Sequence, residues 1–183
     1  MQALSSPFNA EPNAMKLVAI AFSAALAVVA GASCTNAGLD ASVNSKVTFV
    51  STMNGANEVP ANSSGGSGTF IGTLDTLTNV FTYDITFTGL ASASTAGHIH
   101  GPGAAGVIAG PAINFASLAG ATFTVGATNG TAHGSTILSV GNQITSTIKG
   151  DSLKKLLFAG LTYVNLHSAT NASGEIRGQI VRR

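Results

Sequence analysis

The stretch Val80-Phe81-Thr82-Tyr83-Asp84-Ile85-Thr86-Phe87-Thr88 decides the fold class. Successive side chains of a strand point to opposite faces. Phe81, Tyr83, Ile85 and Phe87 therefore share one face, and Thr82, Asp84, Thr86 and Thr88 share the other. Such alternation is the pattern of an antiparallel strand buried on one side. Toward the N-terminus, a turn at Asp75–Asn79 leads back to a strand at Thr69–Leu74. The flexible loop Ala61–Gly68 and the break at Asn57-Glu58-Val59-Pro60 separate that strand from the first, Lys46–Thr52.

Toward the C-terminus, Gly89-Leu90 ends the reference strand. A loop of small residues then reaches Gly97-His98-Ile99-His100-Gly101-Pro102-Gly103. His98 and His100 stand at i and i+2, so on a strand both rings face one ligand. Ile113–Phe115, Ala121–Val125 and Gln143–Ile148 read as further strands. Gly126–Gly134, which holds His133, reads as turns. Asp151–Ala159 has the pattern of a short helix. Asp151 or Ser152 serves as N-cap, Leu153, Leu156 and Leu157 form the apolar stripe, and Gly160 takes the left-handed position at the end. Lys154 and Lys155 fall on its solvated face.

The chain closes with a hairpin of Leu161–His167 and Gly174–Val181. Alternation puts Val164, Leu166, Ile176 and Ile180 on one face. Tyr163, Asn165, His167, Glu175, Arg177 and Gln179 fall on the other. Cross-strand neighbours on one face are in contact, so His167, Glu175 and Arg177 are expected to form one polar cluster.

Composition agrees with many short strands. The chain has 183 residues, 22 of them glycine, and 8% charged residues, against roughly 25% in an ordinary soluble domain. One domain of about 140 residues can bury a sufficient core without a disulfide, and the single Cys allows none within the chain. The architecture expected is all-β, a Greek-key sandwich or barrel with one short helix. Eight Lys and Arg against seven Asp and Glu, spread evenly along the chain, argue against a nucleic-acid partner.

Met15-Lys16 followed by the apolar run Leu17–Ala30 reads as an export signal over residues 15–33. Residues 1–14 do not fit that pattern and read either as an extension ahead of the true start at Met15 or as a longer polar leader. Cys34, the single Cys, stands where a bacterial lipoprotein carries its lipidated residue. Cleavage after Ala32 in Ala30-Gly31-Ala32 is the alternative. Residues 34–45 form the tether and 46–183 the β domain. The expected location is therefore exported, as a periplasmic or cell-surface lipoprotein or a secreted protein. A lipid anchor would be its contact with the membrane.

The blocks "NEVP" (57–60), "GHIHGP" (97–102) and "YVNLHSATNASGEIRGQI" (163–180) resemble the CHRD domain, described in the animal developmental regulator chordin and widespread in bacterial exported proteins. The resemblance spans about residues 46–181. Gly103 stands where the family usually has Ala, and Asn171-Ala172-Ser173-Gly174 replaces its usual Asn-Pro-Gly-Gly. It implies a β-rich fold, immunoglobulin-like or barrel, and leaves the biochemical role open.

Three functions compete. The first is a non-enzymatic binding or structural module of the cell envelope, with an envelope protein or glycan as partner. The second is a copper or zinc site at His98, His100 and His167, since imidazole suits both ions. Here Glu175 is an oxygen ligand or orients His167, Arg177 supports the cluster, and Asn165 fixes the strand that carries His167. Likeness to the His-x-His strand of copper–zinc superoxide dismutase would require His133 as a fourth ligand. Alternatively, the same residues form a hydrogen-bonded network that pins a bulge or loop. Glu58 is expected to pair with Arg177 or to cap a turn. The third function, a metal-dependent redox enzyme, has the least support. No G-x-S-x-G stretch, P-loop or dinucleotide fingerprint is present, and six acidic residues from Asp40 onward offer no obvious carboxylate pair.

Overall fold

Phe81, Tyr83, Ile85 and Phe87 are all buried, and their strand lies inside a long antiparallel sheet, third from one end of its path. The computed structural model describes residues 44–145 and 147–183. The proposed leader, Cys34 and all of the tether before residue 44 lie outside them. The strands are β1 (Lys46–Asn54), β2 (Ser67–Asp75), β3 (Val80–Thr88), β4 (Ser94–His100), β5 (Pro111–Asn114), β6 (Thr122–Phe123), β7 (Gly130–Ile137), β8 (Tyr163–Ser168), β9 (Ile176–Gln179) and β10 (Val181–Arg182). Helix α1 (Gly150–Phe158) lies between β7 and β8, and a 3-10 turn at Gly55–Asn57 follows β1.

The sheet order is β5-β4-β8-β9-β1-β2-β3-β7-β6, with β10 paired to β1. The sheet curls into a half-barrel. Its two arms meet through loops. The Ser94 N–H donates to Ala127 O at 2.9 Å, and Ser94 O accepts from the Gly126 N–H at 2.8 Å. The Ser94 hydroxyl donates to Thr124 O at 2.8 Å. The concave side holds the core, with Phe49, Met53, Phe70, Leu74, Phe81, Ile85 and Phe115 sealed from solvent. Burying each such side chain contributes on the order of 2 kcal/mol. Helix α1 closes one end by inserting Leu153 and Leu157.

Three local expectations are corrected. Gly126–Gly134 is not all turn: Gly130–Ile137 pairs with β3 residue for residue. Its glycines answer to packing. A Cβ on Gly134 would lie 2.5 Å from Tyr83 Cζ, and one on Gly130 would lie 2.9 Å from Phe87 Cζ. Gln143–Ile148 is not a strand. Ile144 N and Thr145 N both donate to Ile148 O, at 3.0 and 3.1 Å, so the backbone satisfies itself in a turn. Helix α1 starts at Gly150 with Lys149 as N-cap and no side-chain cap, so Asp151 and Ser152 sit inside the first turn. Gly160 does take the left-handed conformation, φ +66°.

Candidate functional site

The three sequence blocks converge on one polar site over β4, β8 and β9. In register, His98 faces Asn165 and His100 faces Tyr163 across β4–β8, while Asn165 faces Arg177 across β8–β9. Gly97 permits this close pairing, because a Cβ there would lie 2.6 Å from both Leu166 Cδ2 and Phe115 Cδ2.

His98 Nδ1 lies 3.0 Å from His167 Nε2. The rings of His98 and His100 are 5.2 Å apart, centroid to centroid, and nearly perpendicular. One nitrogen from each of His98, His100 and His167 falls within 4.8 Å of the others. Backbone carbonyls orient two of the rings. His167 Nδ1 lies 2.9 Å from Ala172 O, and His100 Nδ1 lies 2.8 Å from Ala109 O. A carbonyl only accepts, so both Nδ1 atoms carry the proton and both Nε2 atoms of the neutral rings keep a lone pair.

Burial favours the neutral rings. It pushes His98 down to about 4, helped by the charges of His167 and His100. Burial also lowers His100 and His167, against the opposing pull of the Ala109 and Ala172 carbonyls. His100 Nε2 also lies 2.9 Å from the Asn165 side-chain amide, whose far end reaches Glu58 at 3.5 Å. The amide oxygen faces the ring and its NH2 faces Glu58; a neutral His100 accepts there only when the amide turns its NH2 to the ring. Burial raises Glu58, opposed by the Arg177 charge and Asn165.

Arg177 spans the site. Its guanidinium donates to Val107 O at 2.8 Å and Ala104 O at 3.4 Å. It also lies 3.4 Å above the Tyr163 ring. Gln179 donates to Gly103 O and Gly160 O, at 2.9 and 2.7 Å. These bonds hold the loop after His100 against β9. The Gly101–Pro102 peptide within that loop is cis.

The structure does not bring every expected residue here. Glu175 is fully buried, but its carboxylate accepts from Ser64 Oγ at 2.6 Å and Ala91 N at 2.5 Å, away from His167. Gly174, at φ +141°, takes Glu175 out of the strict alternation that had placed it on the histidine face. Burial alone would raise Glu175, but hydrogen bonding from Ser168, Ser64, the Ala91 N–H and Asn171 outweighs it and holds the carboxyl low. His133 pairs with Asp84 at 2.8 Å across β3–β7, so it is not a fourth member of the cluster.

Sequence reasoning missed the carbonyls of Ala109 and Ala172, because a backbone oxygen carries no residue signature. It also missed Asn62, whose amide NH2 donates to Glu175 O at 3.0 Å. The turn-forming run Asn62-Ser63-Ser64 after Pro60 was its only trace.

The donor set fits copper or zinc in kind: three neutral imidazoles, two of them held by carbonyls. The residues that could hold such an ion are His98, His100 and His167. No curated protein and no solved structure shows significant similarity to the chain. A family model for the CHRD domain matches residues 49–180, a span that contains every residue of the site and most of the described chain. The chain belongs to the CHRD domain family.

Proposed function

We propose that the chain is an exported, non-enzymatic binding module of the cell envelope. It is tethered through Cys34 or released after Ala32, and its binding chemistry resides in the histidine cluster, which takes a copper or zinc ion. One observation carries the metal reading: three imidazole nitrogens lie within 4.8 Å of one another. In the bound form His98, His100 and His167 supply the ligand nitrogens. The ion would supply an open coordination position for a donor atom of a partner. Ala109 O and Ala172 O keep two rings oriented.

The test is metal content by mass spectrometry of the exported protein, followed by copper and zinc titration of wild type and His98→Ala/His100→Ala. Near-stoichiometric metal that disappears in the variant, with an unchanged circular dichroism spectrum, supports the site and justifies redox assays. No bound metal and only millimolar binding would sink it.

A second reading is favoured by the bonds of His100 to both Ala109 and Asn165. In it the histidines are architectural, and the ligand occupies a groove of about 310 Å³ beside them, lined by Glu58, Arg177 and Gln179. Such a polar groove suits an envelope glycan or a polar peptide. Wild-type thermal stability lost in the histidine variant, without metal binding, would select this reading.

A further inference from the structure

Cations scattered along the sequence are gathered by the fold at one end of the molecule. Lys46 opens β1 opposite Asp75. Lys149 precedes α1, and Lys154 and Lys155 lie on it. The Lys154 ammonium donates to Asn79 Oδ1, in the β2–β3 turn, at 2.6 Å. Arg182 pairs with Phe49 in the register of β1, its guanidinium lies over the Phe158 ring at 5.6 Å, and Arg183 N donates to Thr48 O. These six include every Lys and Arg of the described residues except Arg177. The side-chain carboxylates at this end are Asp75 and Asp151. Asp75 is engaged by the N–H groups of Leu77 and Thr78, and Asp151 lies 3.9 Å from Lys155.

The same end exposes apolar side chains. Val140 is 85% exposed and Leu77 72%, with Phe158 and Val181 partly exposed. Between α1 and the end of β7 a groove of about 860 Å³ opens, lined by Leu138, Val140, Phe158, Asp151, Lys154 and Lys155. Apolar tips ringed by cations match the layered chemistry of a bilayer surface, which is anionic outside and hydrocarbon a few ångströms in.

We infer that this end docks on an anionic phospholipid surface. The inference rests on the envelope reading above, and it adds a protein contact to the lipid anchor expected at Cys34. Chain entry is consistent with it, since the tether joins the domain at Lys46, on the docking end. A tether of about a dozen residues reaches roughly 40 Å when extended. That is enough for many orientations, so the charges select one. Each Lys or Arg near such a surface changes partitioning about fivefold.

The chain lacks Trp, so Val140→Trp in the full chain places a single reporter in the patch. Thr86→Trp, on an exposed face of β3 about six residues up the strand, is the control. Equimolar phosphatidylglycerol–phosphatidylcholine vesicles should shift the Val140→Trp emission to the blue and make it quenchable by brominated acyl chains. Thr86→Trp should stay water-like. The leader can insert in either lipid, so phosphatidylcholine vesicles serve as the baseline, where neither reporter should respond. Raised salt should reverse the shift. Lys154→Glu/Lys155→Glu, and separately Arg182→Glu/Arg183→Glu, should each weaken the response at least tenfold in lipid concentration. An equal response in both lipids, in both reporters, or in the reversed-charge variants would overturn the docking face. Cell fractionation tests the envelope reading separately, so either failure can be recognised alone.

Discussion

The imidazole of His100 lies flat on the ring of Tyr163, with centroids 4.7 Å apart and planes 3° from parallel. Tyr163 sits on the middle strand of three, with Arg177 packed on it from the neighbouring strand. Its hydroxyl exchanges hydrogen bonds with Ala109, accepting from N–H at 3.1 Å and donating to the carbonyl at 3.2 Å. That same carbonyl holds His100. Tyr163→Phe should therefore cost about 1–2 kcal/mol in chemical denaturation. Tyr163→Leu should cost about 3–5 kcal/mol, since it also removes the ring beneath Arg177. Equal effects would show that the hydroxyl dominates and the stack contributes little.

Glu175→Gln removes a buried charge that two donors face at 2.6 and 2.5 Å. Its expected cost is about 2–3 kcal/mol near neutral pH. The folded-state pKa is lowered, so the carboxylate contributes stability above the unfolded value of 4.5 and loses it as pH falls through the folded value. The gap between wild type and variant, followed by urea unfolding against pH, should narrow in acid.

The histidines act in a neighbouring pH window. His98 is lowered from 6.5 to about 4, so the unfolded chain binds more protons between those values. Stability then falls as pH drops through that window. Glu58 works the other way: its raised folded value gives stability at low pH that is lost as pH rises through it. His98→Gln should flatten the decline between pH 6.5 and 4. An unchanged slope would mean that His98 titrates normally in the folded protein.

Gly174→Ala should be costly. The φ of +141° is hostile to any side chain, and the new Cβ would lie 2.5 Å from Glu58 Oε1. The expected loss is about 2–4 kcal/mol. The variant should also displace Glu58 from Asn165, visible as a shift of the His100 ring resonances in NMR.

Much of the fold was legible because alternation and burial coincide. Phe81, Tyr83, Ile85 and Phe87 announced β3 with its observed bounds, and the closing hairpin paired as its parity required. What stayed hidden depended on partners distant in sequence. Gly130 and Gly134 looked like turn residues, yet they are small because the Thr124 side chain and Phe87 ring fill the space at one and the Tyr83 ring fills it at the other. The His98–His167 contact joins residues on β4 and β8, and only sheet order reveals it. Glu175 was misplaced by one backbone turn at Gly174. Glu58 was visible as a partner for Arg177 or a turn cap, but its reach to Asn165 depends on how the β1–β2 loop folds back.

The way the sheet's arms meet at Ser94 has a bearing on life at high density. The outermost strands of the path, β5 and β6, run only four and two residues. Long unpaired edges invite one molecule to extend the sheet of the next, and short ones blunt that tendency. Copies at high concentration would meet with little exposed ladder to share. They can stay individually folded where a longer-edged sheet would polymerise.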